Sequence, residues 1–274
     1  MGLIIGLDIG GTTTKIVGYD NGELIGFVRV QASDPFTSAS GGLGKFLNVI
    51  GKNLGHVEQI QATGVGASQL DGDIFDCRTV IVPEFDCVGL GGLYLAGLDE
   101  AIVVSMGTGT SIVAARGRKV EHIIGSGVGG GTLQGLSEKM LNVEEFETIS
   151  DLADLGNLGM VDLTIGDITT AQIPGLTPNA TASNFGKLKD LASDEDIAAG
   201  IVNLVFQSVG TASVLAARLQ DLNTIVITGN LALIPLGKKV LKGFTTLYNL
   251  IFTIPEHAEF ATAVGASLIN SQEP

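Results

Sequence analysis

Residues 3–9 form a short, nearly continuous apolar run closed by two glycines, the pattern of a strand buried on both faces. Residues 13–19 are rich in β-branched side chains and read as a second strand. Asn21-Gly22 is the strongest short hairpin signal a sequence offers, and residues 24–30 supply a third strand after it. The chain therefore opens as a three-stranded meander.

The pattern returns about 97 residues later. Residues 101–105 are apolar, Gly107-Thr108-Gly109-Thr110 is a turn, 111–115 is a strand, 116–119 a polar turn and 120–124 a third strand. Two copies of one supersecondary unit imply a duplicated α/β architecture, divided as 1–98 and 99–260, with the C-terminal helix 261–274 packing back on the first domain. Between the copies the pattern predicts a helix over 40–54, a strand over 59–63, a loop over 64–72, a strand over 79–82 stopped by Pro83, and a helix over 84–96. Beyond them it predicts a helix over 132–141 and an irregular stretch over 156–186, placed at a surface or lid. A long helix over 196–219 follows, with apolar residues at spacings of three and four behind the acids Asp194, Glu195 and Asp196. A strand over 224–228, a helix over 237–247, a strand over 251–254 and a last helix from 261 complete the chain.

The 274 residues are 45% hydrophobic and 16% charged, with a mean hydropathy of +0.41, which excludes disorder. No run of about 18 apolar residues marks a spanning helix. Asp8 inside the first apolar run argues against a leader segment, and Gly6 against a myristoylation site, so a cytoplasmic location is expected. The formal charge of −14 makes nucleic acid and anionic lipid poor partners. Cys77 and Cys87 fit neither a zinc spacing nor a disulfide framework and read as small core residues. Glycine is the oddity: 39 residues, about twice the usual share, with no collagen period and no Gly/Ser tract.

Several of those glycines fall where chemistry is wanted. Asp8-Ile9-Gly10-Gly11-Thr12-Thr13-Thr14-Lys15 joins backbone donors free of Cβ, hydroxyls, a cation and a carboxylate, the four things a phosphate and its Mg²⁺ need. Gly107-Thr108-Gly109-Thr110-Ser111 is the matching turn of the second copy, with Ser105 where the first has Asp8. Two such turns facing across a cleft would grip a polyphosphate from both sides. Gly125 to Thr132 places five glycines before a helix, where unpaired amides and the helix dipole favour an anion. It is neither a dinucleotide fingerprint nor a Walker loop. Glu84 and Asp86 follow a strand end; either could act as a general base, and acids there also simply favour the helix dipole. Gly229-Asn230 is a turn that could contact a nucleoside, and His56 and His257 read as surface residues.

A repeated three-strand unit with two phosphate-gripping turns resembles the actin, hexokinase and heat-shock ATPase superfamily. Within it the chain resembles the type II pantothenate kinases. The likeness rests on Asp8-Ile9-Gly10-Gly11-Thr12 with Lys15, Glu84-Phe85-Asp86, the 107–111 turn, Gly125 to Thr132 with Gln134-Gly135-Leu136, Asn184-Phe185-Gly186, and Ala263-Val264-Gly265-Ala266. It implies α/β, duplicated ribonuclease H-like (actin-like ATPase) domains with a cleft between them. It further implies a homodimer that uses ATP and Mg²⁺ to phosphorylate the primary hydroxyl of pantothenate, the first step of coenzyme A biosynthesis.

Residue by residue, the resemblance assigns Asp8, Ile9, Gly10, Gly11, Thr12, Thr13, Thr14 and Lys15, with Gly130, Gly131, Thr132, Leu133 and Gln134, to the ATP phosphates and Mg²⁺. Asp8 would hold the metal, directly or through water. Thr108 adds a phosphate contact, Phe146 and Asn230 nucleoside contacts, and Glu84 becomes the catalytic base. Thr110 and His122 join Glu84 at the acceptor. The family usually has an arginine at the position of His122, pairing with the pantothenate carboxylate; Arg116 or Arg118 is the candidate replacement. The rivals are a related kinase for another small alcohol, such as a pantothenate relative or an amino sugar, and an iron–sulfur ATPase that activates 2-hydroxyacyl-CoA dehydratase.

Overall fold

The computed structural model describes residues 2–173, 175–188 and 191–269. The first meander is β1 (Leu3–Ile9), β2 (Thr13–Asp20) and β3 (Glu23–Gln31). Asn21 and Gly22 turn β2 into β3 with φ of 51° and 93°, the mirror-image turn that matches strand twist. Helix α1 (Pro35–Val49) follows, starting five residues before the predicted 40–54. Asp34 caps it by accepting a hydrogen bond from the Thr37 amide, and Pro35 occupies the first helical position, where its missing N–H costs nothing. Next come β4 (Val57–Thr63), β5 (Thr79–Ile81) and α2 (Glu84–Ala96).

The second meander is β6 (Glu100–Met106), β7 (Thr110–Arg116) and β8 (Lys119–Ser126). After it run α3 (Gly130–Leu141), the unpredicted helix α4 (Phe146–Leu155), β9 (Leu163–Thr164), α5 (Ile165–Ile168), β10 (Thr181–Ser183) and α6 (Asp194–Leu219). The chain closes with β11 (Thr224–Thr228), α7 (Pro235–Tyr248), β12 (Ile251–Thr253) and α8 (Ala261–Leu268). Residues 270–274 of the anticipated C-terminal helix lie outside the described residues.

The two five-stranded sheets have one topology. Their orders are β3-β2-β1-β4-β5 and β8-β7-β6-β11-β12, each an antiparallel meander followed by two parallel strands. Alternation along β1 and β2 puts Ile5, Leu7, Ile9 and Ile16 against Leu43 and Phe46 of α1. In the second half, α6 supplies the core that covers Ile102, Val104 and Ile225. By length and composition α6 could cross a membrane, but two-thirds of its apolar window is buried inside the protein, as befits a core helix.

The opposite faces of the sheets are covered by exchange. Helix α8, from the end of the chain, packs on β1, β2 and β4, whereas α2, from the first half, packs on β6, β7, β8 and β11. The two helices also press on each other, and glycines permit it: a Cβ on Gly91 would fall 1.8 Å from the Ala261 carbonyl oxygen, and one on Gly265 1.8 Å from that of Cys87. Much of the glycine excess is thus packing as well as ligand cradle.

The irregular segment is fastened to α6. The buried Asp162 carboxylate accepts hydrogen bonds from the Phe185 amide and from the side chains of Asn184 and Asn203, so Asn184-Phe185-Gly186 is a structural clasp. No described residue of 156–186 lines either of the two cavities described next.

Candidate active site

Asp8 and Lys15 face each other across β1 and β2, with the Lys15 ammonium 3.6 Å from the Asp8 carboxylate and both side chains buried. Burial pushes the Asp8 carboxyl above its usual range, and Lys15 offsets part of that. A buried, half-neutralised carboxylate with an open side is a good place for a divalent cation, which would repay its desolvation.

The second glycine turn and the start of α3 form one cradle. Gly130 N–H donates to the Gly107 carbonyl and Gly131 N–H to that of Thr108, each at 2.8 Å. A Cβ on Gly129 would lie 2.7 Å from the Gly109 backbone, so no other residue allows this approach. These bonds correct one expectation: the amides of Gly130 and Gly131 hold the two loops together and are not free for an anion, although the helix dipole at the α3 N-terminus still favours one.

Two cavities open between the halves. One, of about 410 Å³, is lined by Thr12, Thr13, Gly130, Gly131, Leu133, Gln134 and Phe146, all predicted, together with Arg29, Gln31 and Glu147. The other, of about 400 Å³, is lined by Asp8, Gly10, Gly11, Lys15, Glu84, Thr110 and His122. Thr12, Thr13, Gly107, Thr108 and Asn230 line both, so the two are adjoining chambers that share a wall. Asn230 Oδ1 is buried with no hydrogen-bond partner, an acceptor left open where a nucleoside hydroxyl or amino group would satisfy it. Gly229 sets Asn230 there with φ 87°, and a Cβ on it would lie 2.4 Å from the Met106 carbonyl oxygen.

Glu84 opens α2, with Phe85 beside it. Partial burial raises the Glu84 pKa, and the Asp8 charge raises it further, both in the direction of a group that takes up a proton readily. The His122 ring stacks on Phe85 with centroids 4.0 Å apart and planes at 11°, forming a flat wall next to Glu84. Neither candidate arginine reaches this chamber. Arg116 is held by Glu100 and the Gln220 carbonyl, and Arg118 by the Leu268 and Ile269 carbonyls, at the other end of β7 and β8.

Three predicted ligands lie elsewhere. Strand alternation sends Ile9 into the α1 core and Thr14 to the same face as Ile16, and the Thr132 hydroxyl bridges the Gly127 carbonyl and the Gly129 amide as a cap of its own helix. Conversely, Arg29, Glu147, Glu259 and Thr262 line the cleft without having been singled out.

Cys87 is fully buried one turn after Glu84, and burial pushes its thiol up to about 12. Iodoacetamide at about pH 8 should therefore leave Cys87 unmodified in the native protein and reach the half-buried Cys77 first, as peptide mass spectrometry would read. Rapid native labelling of Cys87 would contradict this burial.

A family model described as Fumble matches residues 100–241, just over half of the chain. A type II pantothenate kinase from Bacillus cereus is 28% identical over 96% of both chains, and one from another Bacillus cereus strain is 30% identical over 82% of this chain and 83% of its own. One from Staphylococcus saprophyticus is 29% identical over 96% of this chain and 98% of its own. Among solved structures, the activator of the 2-hydroxyisocaproyl-CoA dehydratase from Clostridium difficile with bound ADPNP superposes with a TM-score of 0.70 at 19% identity, covering 97% of this chain and 93% of that one. A ROK hexokinase from Thermus thermophilus does so with a TM-score of 0.58 at 16% identity, covering 97% and 98%. These two likenesses establish the fold, that of the actin-like ATPases.

Proposed function

This chain belongs to the type II pantothenate kinases, and we propose that its two adjoining chambers are the nucleotide and acceptor sites, with Glu84 as the catalytic base. It is an ATP-dependent kinase acting on pantothenate. The observation that carries the site assignment is the shared wall. Thr12, Thr13, Gly107 and Thr108 stand between a chamber holding Phe146 and one holding Glu84, so a phosphoryl group at that wall can be reached from both sides.

In this reading Glu84 takes the proton of the acceptor's primary hydroxyl as the new oxygen–phosphorus bond forms and the bond to ADP breaks. Lys15 offsets the charge on the transferring group, and the shared wall orients it. A magnesium ion, held by Asp8 directly or through water, would neutralise phosphate oxygens when bound. His122 and Phe85 form the side of the acceptor chamber, and Thr110 its edge. Residues 2–98 with α8 would form one body and 99–260 the other, and the working enzyme would be a cytoplasmic homodimer with no nucleic acid or membrane partner.

The test is ADP release with pantothenate, pantetheine, N-acetylglucosamine or glucose as acceptor. Pantothenate should give the highest kcat/KM. A strong response to another alcohol with none to pantothenate would overturn the acceptor while leaving the kinase. The iron–sulfur reading finds no support at the cysteines: Cys87 is fully buried against Val82 and Ala266 beneath α8, away from any surface at which a partner subunit could share a cluster.

A further inference from the structure

The first sheet carries a row of charge that does not end at Lys15. Asp8, Lys15 and Arg29 are consecutive partners across β1, β2 and β3 and so share one face of the sheet. Asp8 and Lys15 are buried, but Arg29, on the edge strand, reaches the 410 Å³ chamber. Among the described residues lining the two chambers, Lys15 and Arg29 are the only lysine or arginine, and Arg29 alone lines the one with Phe146. A polyphosphate entering a protein of net charge −14 meets few cations, so this one matters.

Across the chamber mouth Arg29 has one ion-pair partner among the described residues. Glu147, the second residue of α4, places a carboxylate oxygen 3.8 Å from the Arg29 guanidinium. The contact is long, and the two side chains are 42% and 66% exposed, which makes it weak and easily exchanged. Phosphate offers guanidinium a closer, forked partner of higher charge.

We propose that Arg29 binds the nucleotide polyphosphate and that Glu147 competes with the polyphosphate for it, a pair of opposed residues that tunes nucleotide affinity. The proposal rests on the reading of this chamber as the nucleotide site.

Calorimetric titration of ATP, ADP and adenosine into wild type, Arg29→Gln, Glu147→Gln and the double variant tests it, with circular dichroism confirming the fold. Arg29→Gln should weaken ATP and ADP about tenfold or more and leave adenosine within about twofold. Glu147→Gln should tighten ATP by about two- to fivefold, and that gain should vanish in the Arg29→Gln background. Unchanged ATP affinity in Arg29→Gln, or an equal loss for adenosine, would overturn the role of Arg29. A Glu147→Gln gain that persists without Arg29 would reduce Glu147 to plain repulsion and overturn the competition. Absence of any adenine nucleotide binding to wild type would instead remove the nucleotide assignment of the chamber, and this proposal with it.

Discussion

Glu84→Gln should lower kcat by about 10²- to 10⁴-fold while ATP affinity stays within about twofold, because a positioned base contributes on that scale and the amide keeps the shape but cannot take a proton. The pH profile supplies an independent reading. Glu84 acts ionised, and burial together with the Asp8 charge raises its pKa in the free enzyme, so the acid limb of kcat/KM should lie above the ordinary value of 4.5 and activity should fall as pH drops through it. In Glu84→Gln the residual rate should lose that limb. Turnover within about threefold of wild type, or an acid limb at or below 4.5, would count against Glu84 as the base.

Gly265→Ala and Gly91→Ala should be the most damaging single-methyl changes in the protein. Each Cβ would sit 1.8 Å from a carbonyl oxygen of the facing helix, and backbone cannot step aside as a side-chain tip can. Overpacking at this severity costs about 3 kcal/mol or more, which lowers Tm by roughly 6–12 °C for a chain of this size. Gly243→Ala is the matched control. It lies exposed in α7 with nothing within 4 Å of its Cβ, so the same substitution should raise Tm slightly through helix propensity. Equal melting shifts for Gly265→Ala and Gly243→Ala would contradict the packing account.

The meanders were legible because the Asn21-Gly22 turn and the paired glycine-threonine turns are local signals that tertiary context rarely overrides. The cleft motifs were legible for a similar reason: the turn at 10–13 and the turn at 107–109 carry their own geometry. What eluded the sequence reading depended on longer range. The start of α1 is signalled by Asp34-Pro35, a cap followed by a first-turn proline, but the buried apolar positions begin only at Ala39 and draw the boundary inward. Helix α4 has Phe146, Ile149 and Ala153 at helical spacing with no capping side chain at Glu145, and its stability comes from packing on α6.

Arg29 is the most instructive omission. An unbroken hairpin from Asn21-Gly22 pairs Asp20 with Glu23 and would carry Val28 opposite Lys15. A register shift between Gly18 and Tyr19 brings Arg29 there instead. One extra residue in a strand turns every later side chain to the other face, and no periodicity in the sequence announces it. Thr14 shows the converse: it stands inside the 8–15 motif, while strand alternation buries its side chain away from the cleft.

The crossed placement of α2 and α8 has a further consequence for the chain as an object. Severed near residue 98, it would leave an amino-terminal piece with Val17 and Phe27 uncovered and a carboxy-terminal piece with Val103, Val113 and Val226 uncovered. Each fragment would carry the lid of the other's core. Neither should persist alone, yet mixed together they should reassemble as a split enzyme, since what joins the halves is the trade of helices rather than the peptide link between them.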